Sequence, residues 1–220
     1  MTGARCEVEA VCVVRELHPD GSDAGSLTAI DKGPVEGRVP VGRLGVEGDR
    51  QLDLKHHGGP DKAVYAYASE DVEHWAAELG RELPPGTFGE NLRTRGVDVT
   101  NALVGERWRV GAAGGLVVEV TMPRTPCATF QHWMDEPRWV KRFTAHGAPG
   151  AYLRVVREGS VAAGDEVEVV HRPAHGVSIG QCFGGFPPEA GRRLLDAHAT
   201  GELDLARSLA RYARLAAARR

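Results

Sequence analysis

Ala63-Val64-Tyr65-Ala66-Tyr67-Ala68-Ser69-Glu70-Asp71-Val72 changes its periodicity halfway along, and with that change it sets the class of the fold. The run from Ala63 to Ala68 is apolar, of strand length and rich in tyrosine, which predicts a buried strand. Ser69 can cap a helix, and Glu70 and Asp71 suit the positive end of its dipole. Val72, Trp75, Ala76 and Leu79 then fall at i, i+3, i+4 and i+7 before Gly80. A strand that feeds straight into an amphipathic helix implies a mixed fold with the helix laid on a sheet.

The flanking sequence repeats the strand signal. Short apolar runs at Val8 to Val14 and Leu116 to Val120, with further candidates at Glu106 to Val110, Ala151 to Arg157 and Glu166 to His171, predict a curled sheet or barrel. A second helix is expected from Pro137, with Trp139, Val140 and Phe143 on one side and Gly147 as its stop. After about residue 175 the texture changes to a glycine-rich bridge, Pro187-Pro188 and then Ala, Leu and Arg at helical spacing. The expectation is an α+β, β-rich barrel domain over 1–175 and a helical extension over 176–220. Residues 187–220 hold seven arginines against four acids, a basic face that solvent alone can explain.

Composition excludes several classes. With 220 residues, 42% apolar, the chain suits one large domain or one domain with a small appendage. A net charge of −3 argues against a nucleic-acid polymer as partner. No window approaches the roughly 18 apolar residues of a membrane span, and the start lacks a signal-peptide core, so a cytoplasmic protein without a membrane partner is expected. Cys6, Cys12, Cys127 and Cys182 show no C-x-x-C spacing, which removes a zinc ribbon or a disulfide scaffold.

Three clusters carry chemistry. His56-His57-Gly58-Gly59-Pro60-Asp61-Lys62 precedes the decisive strand; its glycines admit close backbone approach, and His56, His57 and Lys62 offer donors to an anion. Neighbouring strand residues point to opposite faces, so a shared metal on both histidines is disfavoured, while a ligand-free turn stays open. Pro85-Gly86-Thr87-Phe88-Gly89-Glu90-Asn91 is a stiff loop with directional polar groups, equally readable as a structural turn. In Pro123-Arg124-Thr125-Pro126-Cys127 the prolines hold a thiol beyond a strand end, beside a permanent cation that favours a thiolate if the two side chains meet. Cys12 reads as buried and inert, and the same reading is fair for Cys6 and Cys182. A Cys/His hydrolase has no local signature here.

Taken in order, these clusters, together with Gly105-Glu106-Arg107-Trp108 and Pro149-Gly150-Ala151-Tyr152-Leu153-Arg154-Val155, resemble the MOSC domain in its YiiM-like branch, over most of residues 35–175. The tail from about 176 resembles the three-helix extension of that branch. The resemblance implies a MOSC-type β-barrel with peripheral helices that binds a molybdopterin-type molybdenum cofactor, with Cys127 as the metal ligand. It implies reduction of small-molecule N-hydroxylated compounds, such as hydroxylaminopurines, with electrons from a separate flavin or haem protein. It also leaves room for a sulfur carrier or sulfurase bearing a persulfide on Cys127. By motif match, the cofactor-binding residues are His56, His57, Gly58, Gly59, Lys62, Thr87, Gly89, Glu90, Asn91, Arg124 and Cys127, and Cys127 and His57 are the catalytic candidates. Some eukaryotic relatives place a separate β-barrel domain before this one. The residues ahead of the match are too few to supply it, so the C-terminal helices or a second copy of the chain, in a homodimer, are expected to cover that side.

Overall fold

The run that opens the sequence reading becomes strand β7 (Val64–Ala68), buried along its whole length, and leads directly into helix α1 (Ser69–Leu79). A computed structural model describes residues 5–22, 25–52, 58–112 and 115–219 of the chain. Ahead of β7 lie β1 (Glu7–Val14), β2 (His18–Pro19), β3 (Leu27–Thr28), β4 (Lys32–Pro34), β5 (Val39–Gly42) and β6 (Gly45–Val46). After α1 come β8 (Leu92–Arg95), β9 (Arg107–Val110), β10 (Leu116–Pro123), α2 (Ala128–Met134), α3 (Trp139–His146), β11 (Ala151–Arg157), β12 (Gly159–Val161) and β13 (Val167–His171). The chain ends in α4 (Ile179–Phe183), α5 (Pro188–Ala199) and α6 (Arg207–Ala217).

Eight strands form one sheet in the order β13-β9-β10-β11-β7-β8-β1-β4, with β12-β5-β6 and β2-β3 as small satellites. Among the described residues only β7 and β8 in the large sheet pair in parallel, and α1 is the crossover that such a pair requires. The expected barrel is not found as a closed ladder. β4 covers only Cys12 to Val14 of β1, whereas the other end of β1 reaches the start of β13 and the segment before it through one bridge, Glu7 to Glu166, and through the backbone bonds Val8 N–H to Asp165 O at 2.9 Å, Gly164 N–H to Val8 O at 2.8 Å and Val167 N–H to Cys6 O at 2.8 Å. The fold is therefore mixed α+β and strand-rich, with two flanks that touch without forming a continuous strand pair.

An aromatic block fastens the helices to the sheet. Tyr67 stacks on Phe88 at 4.5 Å, Trp75 meets Trp139 at 4.5 Å, and Trp75 Nε1 donates to the Tyr67 hydroxyl at 3.1 Å. Phe130 and Phe143 complete it from α2 and α3. Of Trp139, Val140 and Phe143, expected on one side of the second helix, Trp139 and Phe143 are its buried residues and Val140 is only partly covered; the helix starts at Trp139 and not at Pro137, and Gly147 ends it in the left-handed conformation (φ +83°). Ser69 differs from expectation: Ala68 holds the cap position, and the Ser69 hydroxyl donates to Glu9 Oε2 at 2.9 Å. At the C-terminal end α5 and α6 pack through Gly191, where a Cβ would lie 2.7 Å from Ala213 O. No helix among the described residues is long and apolar enough to cross a membrane.

Asp71 in the first turn of α1 is pushed up to about 6, chiefly by burial and then by the charges of Glu70 and Asp98. Its charged form therefore weighs against the folded state above that pH, and below about pH 4 both folded and unfolded chains carry it neutral. Asp71→Asn is expected to raise stability at pH 7 by about 2–3 kcal/mol, since the carboxyl sits about two pKa units above its ordinary value and each unit is about 1.4 kcal/mol. Urea unfolding of both proteins should show the gain shrinking as the pH falls from 6 towards 4.

Candidate functional site

Where β10 ends, Pro123 to Pro126 carry the chain away from the sheet and deliver Cys127 to the cap position of α2 with extended backbone (φ −130°, ψ 176°). Its thiol is half-buried on the wall of a cleft of about 760 Å3, which is also bordered by Lys32, Asp49, Lys62, Tyr65, Gly89, Asn91, Arg124, Tyr152 and α6. The other thiols are accounted for elsewhere. Burial pushes Cys12 and Cys182 up to about 12, and Cys6 donates to Gly96 O at 3.0 Å. Neither Cys12, Cys182 nor Cys6 borders the cleft.

Arg124 is 5% exposed, with its guanidinium 3.6 Å above the Phe130 ring and 5.3 Å from that of Tyr65. Its Nη1 is buried and has no hydrogen-bond partner among the described residues. A permanent cation with unspent donor capacity on a cleft wall calls for an anion, because an unsatisfied buried donor is costly. Lys62 borders the same cleft, with its ammonium 5.5 Å from the Tyr152 ring centroid.

The Pro84 to Asn91 loop divides its labour. Glu90, 0% exposed, accepts from Gly86 N at 2.8 Å, Phe88 N at 2.9 Å and Arg93 Nε at 2.7 Å, so it clamps the loop from inside and does not border the cleft. Thr87 donates to Pro84 O at 2.6 Å and likewise stays off the cleft wall. Gly86 (φ +94°) is required there, because a Cβ would sit 2.2 Å from Lys32 O. Gly89 and Asn91 do reach the wall.

The polar atoms of Asn91 are committed. Its Oδ1 accepts from Tyr65 N at 3.1 Å, while its Nδ2 donates to Cys12 O at 3.2 Å and to Asp49 Oδ2 at 2.8 Å. Asp49 also accepts from Val14 N at 3.0 Å and pairs with Lys32. Burial pulls the Lys32 ammonium below the ordinary lysine range, against the charge of Asp49. Asn91 thus serves the cleft by fixing a Lys32–Asp49 pair that sequence reading missed. Lys32 lies in a glycine- and proline-bearing stretch with no motif of its own, and only the fold brings it beside Asp49.

His56 and His57 lie outside the described residues. Gly58 and Gly59 do not border the cleft; Gly59 (φ +94°) instead turns the chain, and its N–H donates to Gln51 Oε1 at 2.9 Å. The turn is tied down by Asp61, whose carbonyl accepts from Thr121 Oγ1 at 2.6 Å and whose carboxylate pairs with Arg154 at 2.9 Å. Arg154 also pairs with Asp204, just ahead of α6, at 2.7 Å. The helix α6 then places Ser208, Arg211 and Tyr212 on the cleft wall, three residues whose helical spacing carried no sign of that role.

Comparison with known proteins bears on the family and the fold. Residues 53–168 match the MOSC domain. An uncharacterized protein YflK of Bacillus subtilis (strain 168) is 38% identical over 152 residues, 69% of this chain and 67% of that protein. Protein YiiM of Escherichia coli (strain K12) is 34% identical over 151 residues, 67% of this chain and 66% of that one. A Gibberella moniliformis (strain M3125 / FGSC 7600) protein named Reductase is 32% identical over 70% of this chain, which is 28% of its own length. The crystal structure of YiiM from Geobacillus stearothermophilus superposes with a TM-score of 0.76 at 25% identity, covering 97% of this chain and all of that one. The open-ended sheet, the cleft beside Cys127 and these matches lead to one assignment: the chain belongs to the MOSC domain family and is YiiM-like.

Proposed function

We propose that the cleft holds a molybdopterin-type molybdenum cofactor, with Cys127 as its protein ligand, and that the protein reduces small N-hydroxylated compounds such as hydroxylaminopurines. The observation that carries this reading is the coincidence of a half-buried thiol and a buried, under-satisfied guanidinium on one cleft wall. That donor set fits a group that is both thiophilic and anionic: a soft sulfur for the metal, and a fixed cation for a phosphate. When bound, the cofactor supplies the two-electron exchange that turns N–OH into N–H.

The chain's own residues hold and orient. Arg124 and Lys62, set against the rings of Tyr65 and Tyr152 in the lining of the cleft, offer charge to the anionic end. Arg211 adds a further cation from the last helix. Leu27, Leu52 and Tyr212, all exposed at the border of the cleft, offer apolar surface to an entering substrate. The sequence has no G-x-G-x-x-G dinucleotide fingerprint, so a separate flavin or haem protein is taken as the electron donor. The relative named Reductase supports a redox activity.

Metal and pterin analysis of protein from a cofactor-competent host tests the reading. About one molybdenum per chain supports it; metal-free protein that resists reconstitution overturns it. Metal-free protein that gains one sulfur on Cys127 from a cysteine desulfurase would point to the sulfur-carrier role instead. Arg124→Met, which keeps the volume over Phe130 but removes the charge, is expected to lower pterin retention about tenfold or more, the size of one charge-assisted bond of about 1.5–3 kcal/mol. Pterin fluorescence after oxidation of the washed protein reads that loss.

A further inference from the structure

Beside the large cleft lies a smaller cavity of about 150 Å3, and Thr28, Ile30 and Thr129 form walls of both. His18, His132 and Trp133 border the smaller one, and the His18 ring tilts against Trp133 at 5.5 Å. His18 Nε2 lies 2.8 Å from Asp31 Oδ2, and because a carboxylate only accepts, this geometry calls for the Nε2–H form. Asp31 is buried, and its other oxygen accepts from Arg15 Nε at 2.9 Å and Nη2 at 2.6 Å. Burial pushes the Asp31 carboxyl upward, but the hydrogen bonds from Arg15 and His18 outweigh it and hold the group below its ordinary range. Nδ1 of His18 has no hydrogen-bond partner among the described residues. The other charged or titratable groups facing this ring are Glu16, with a carboxylate oxygen within 4.8 Å of the His18 and Asp31 ligand atoms, and His132 of α2.

We propose that His18 and Asp31 form a proton-delivery dyad that feeds the cleft from its flank through the threonine-lined partition; the inference rests on the reductase reading above. Reduction of R–NH–OH to R–NH2 and water breaks an N–O bond and forms an N–H bond. It consumes two electrons, from the separate flavin or haem protein, and two protons. A carboxylate that fixes one imidazole nitrogen leaves the other free to take a proton from solvent and pass it on, and imidazole is the side chain suited to that exchange near neutral pH. The Thr28 and Thr129 hydroxyls both donate and accept, so they and water in the small cavity can complete the path. Neither His18 nor Asp31 lies in the 53–168 segment that defines the family match.

The test uses the cofactor-loaded protein. His18→Gln keeps a donor to Asp31 but cannot exchange a proton, and it is expected to lower kcat about 100-fold, with KM within twofold and molybdenum content unchanged. His18→Ala should behave alike and regain part of its kcat with added imidazole, whereas His132→Gln should retain most of it. Wild-type kcat and pH profile in both His18 variants would overturn the proposal, as would absence of imidazole rescue in a cofactor-replete His18→Ala. A separate arm reads nitrogen-15 shifts of metal-free protein: an Nε2–H tautomer is required, and an Nδ1–H tautomer overturns the dyad whatever the enzyme reduces. Loaded wild-type protein that reduces no N-hydroxylated compound overturns the reductase reading, while the tautomer still judges the dyad itself.

Discussion

Cys127→Ala should abolish molybdenum retention and reduce N-hydroxylated-substrate turnover by at least two orders of magnitude while the chain stays folded. Loss of residues that merely support a metal ligand commonly costs 10–100-fold, so loss of a ligand itself should cost more. The side chain is small, half-buried and at the first cap of α2, where neither helix nor sheet depends on its sulfur. Circular dichroism should therefore be unchanged. Cys6→Ala loses a hydrogen bond to Gly96 O and Cys182→Ala a buried apolar atom, both away from the cleft, so both should keep their metal. Elemental analysis of the three purified variants decides the matter: equal metal loss in all three, or full retention in Cys127→Ala, would refute the assignment.

Glu90→Gln is expected to destabilise the protein by about 3–5 kcal/mol, the usual cost of removing one partner from a buried ion pair. Glu90 and Arg93 are both almost completely enclosed, and the carboxylate also receives the amides of Gly86 and Phe88. Glutamine is nearly the same shape, but its amide nitrogen is a donor that must face one of these donors, and Arg93 is left with an uncompensated charge. Urea unfolding of wild type and variant reads the difference. Thr87→Ala in the same loop removes a hydroxyl bond to Pro84 O and should cost about 1 kcal/mol. A similar, small loss in both variants would mean that the pair does not hold the loop.

Much of the framework was legible because its elements are locally consistent. The run at Ala63 to Ala68 is apolar throughout because β7 is buried along its whole length, and Val72 and Trp75 recur on the buried side of α1. The short helix α2 escaped detection because it follows Pro126 and Cys127 without a capping side chain and buries only Phe130 and Met134. The sheet invited a closed barrel because strand count carries no information on whether the last pair completes its ladder. At the site, Cys127 and Arg124 were readable from five consecutive residues. Glu90 and Thr87 were not separable from Asn91 by sequence, since a polar side chain in a glycine-rich loop looks the same whether it faces a cavity or its own backbone. Lys32, Asp49 and Arg211 come from three distant segments, and no periodicity within any one of them points to the others.

The contribution of α6 to the wall beside Cys127 has a consequence for protein engineering. The segment matched to the family ends at residue 168, yet Ser208, Arg211 and Tyr212 line the same cleft as Cys127. Exchanging the last forty-odd residues between homologues should therefore change which molecules the cleft admits while leaving the sulfur-bearing wall as it was, so that selectivity could be altered separately from reactivity.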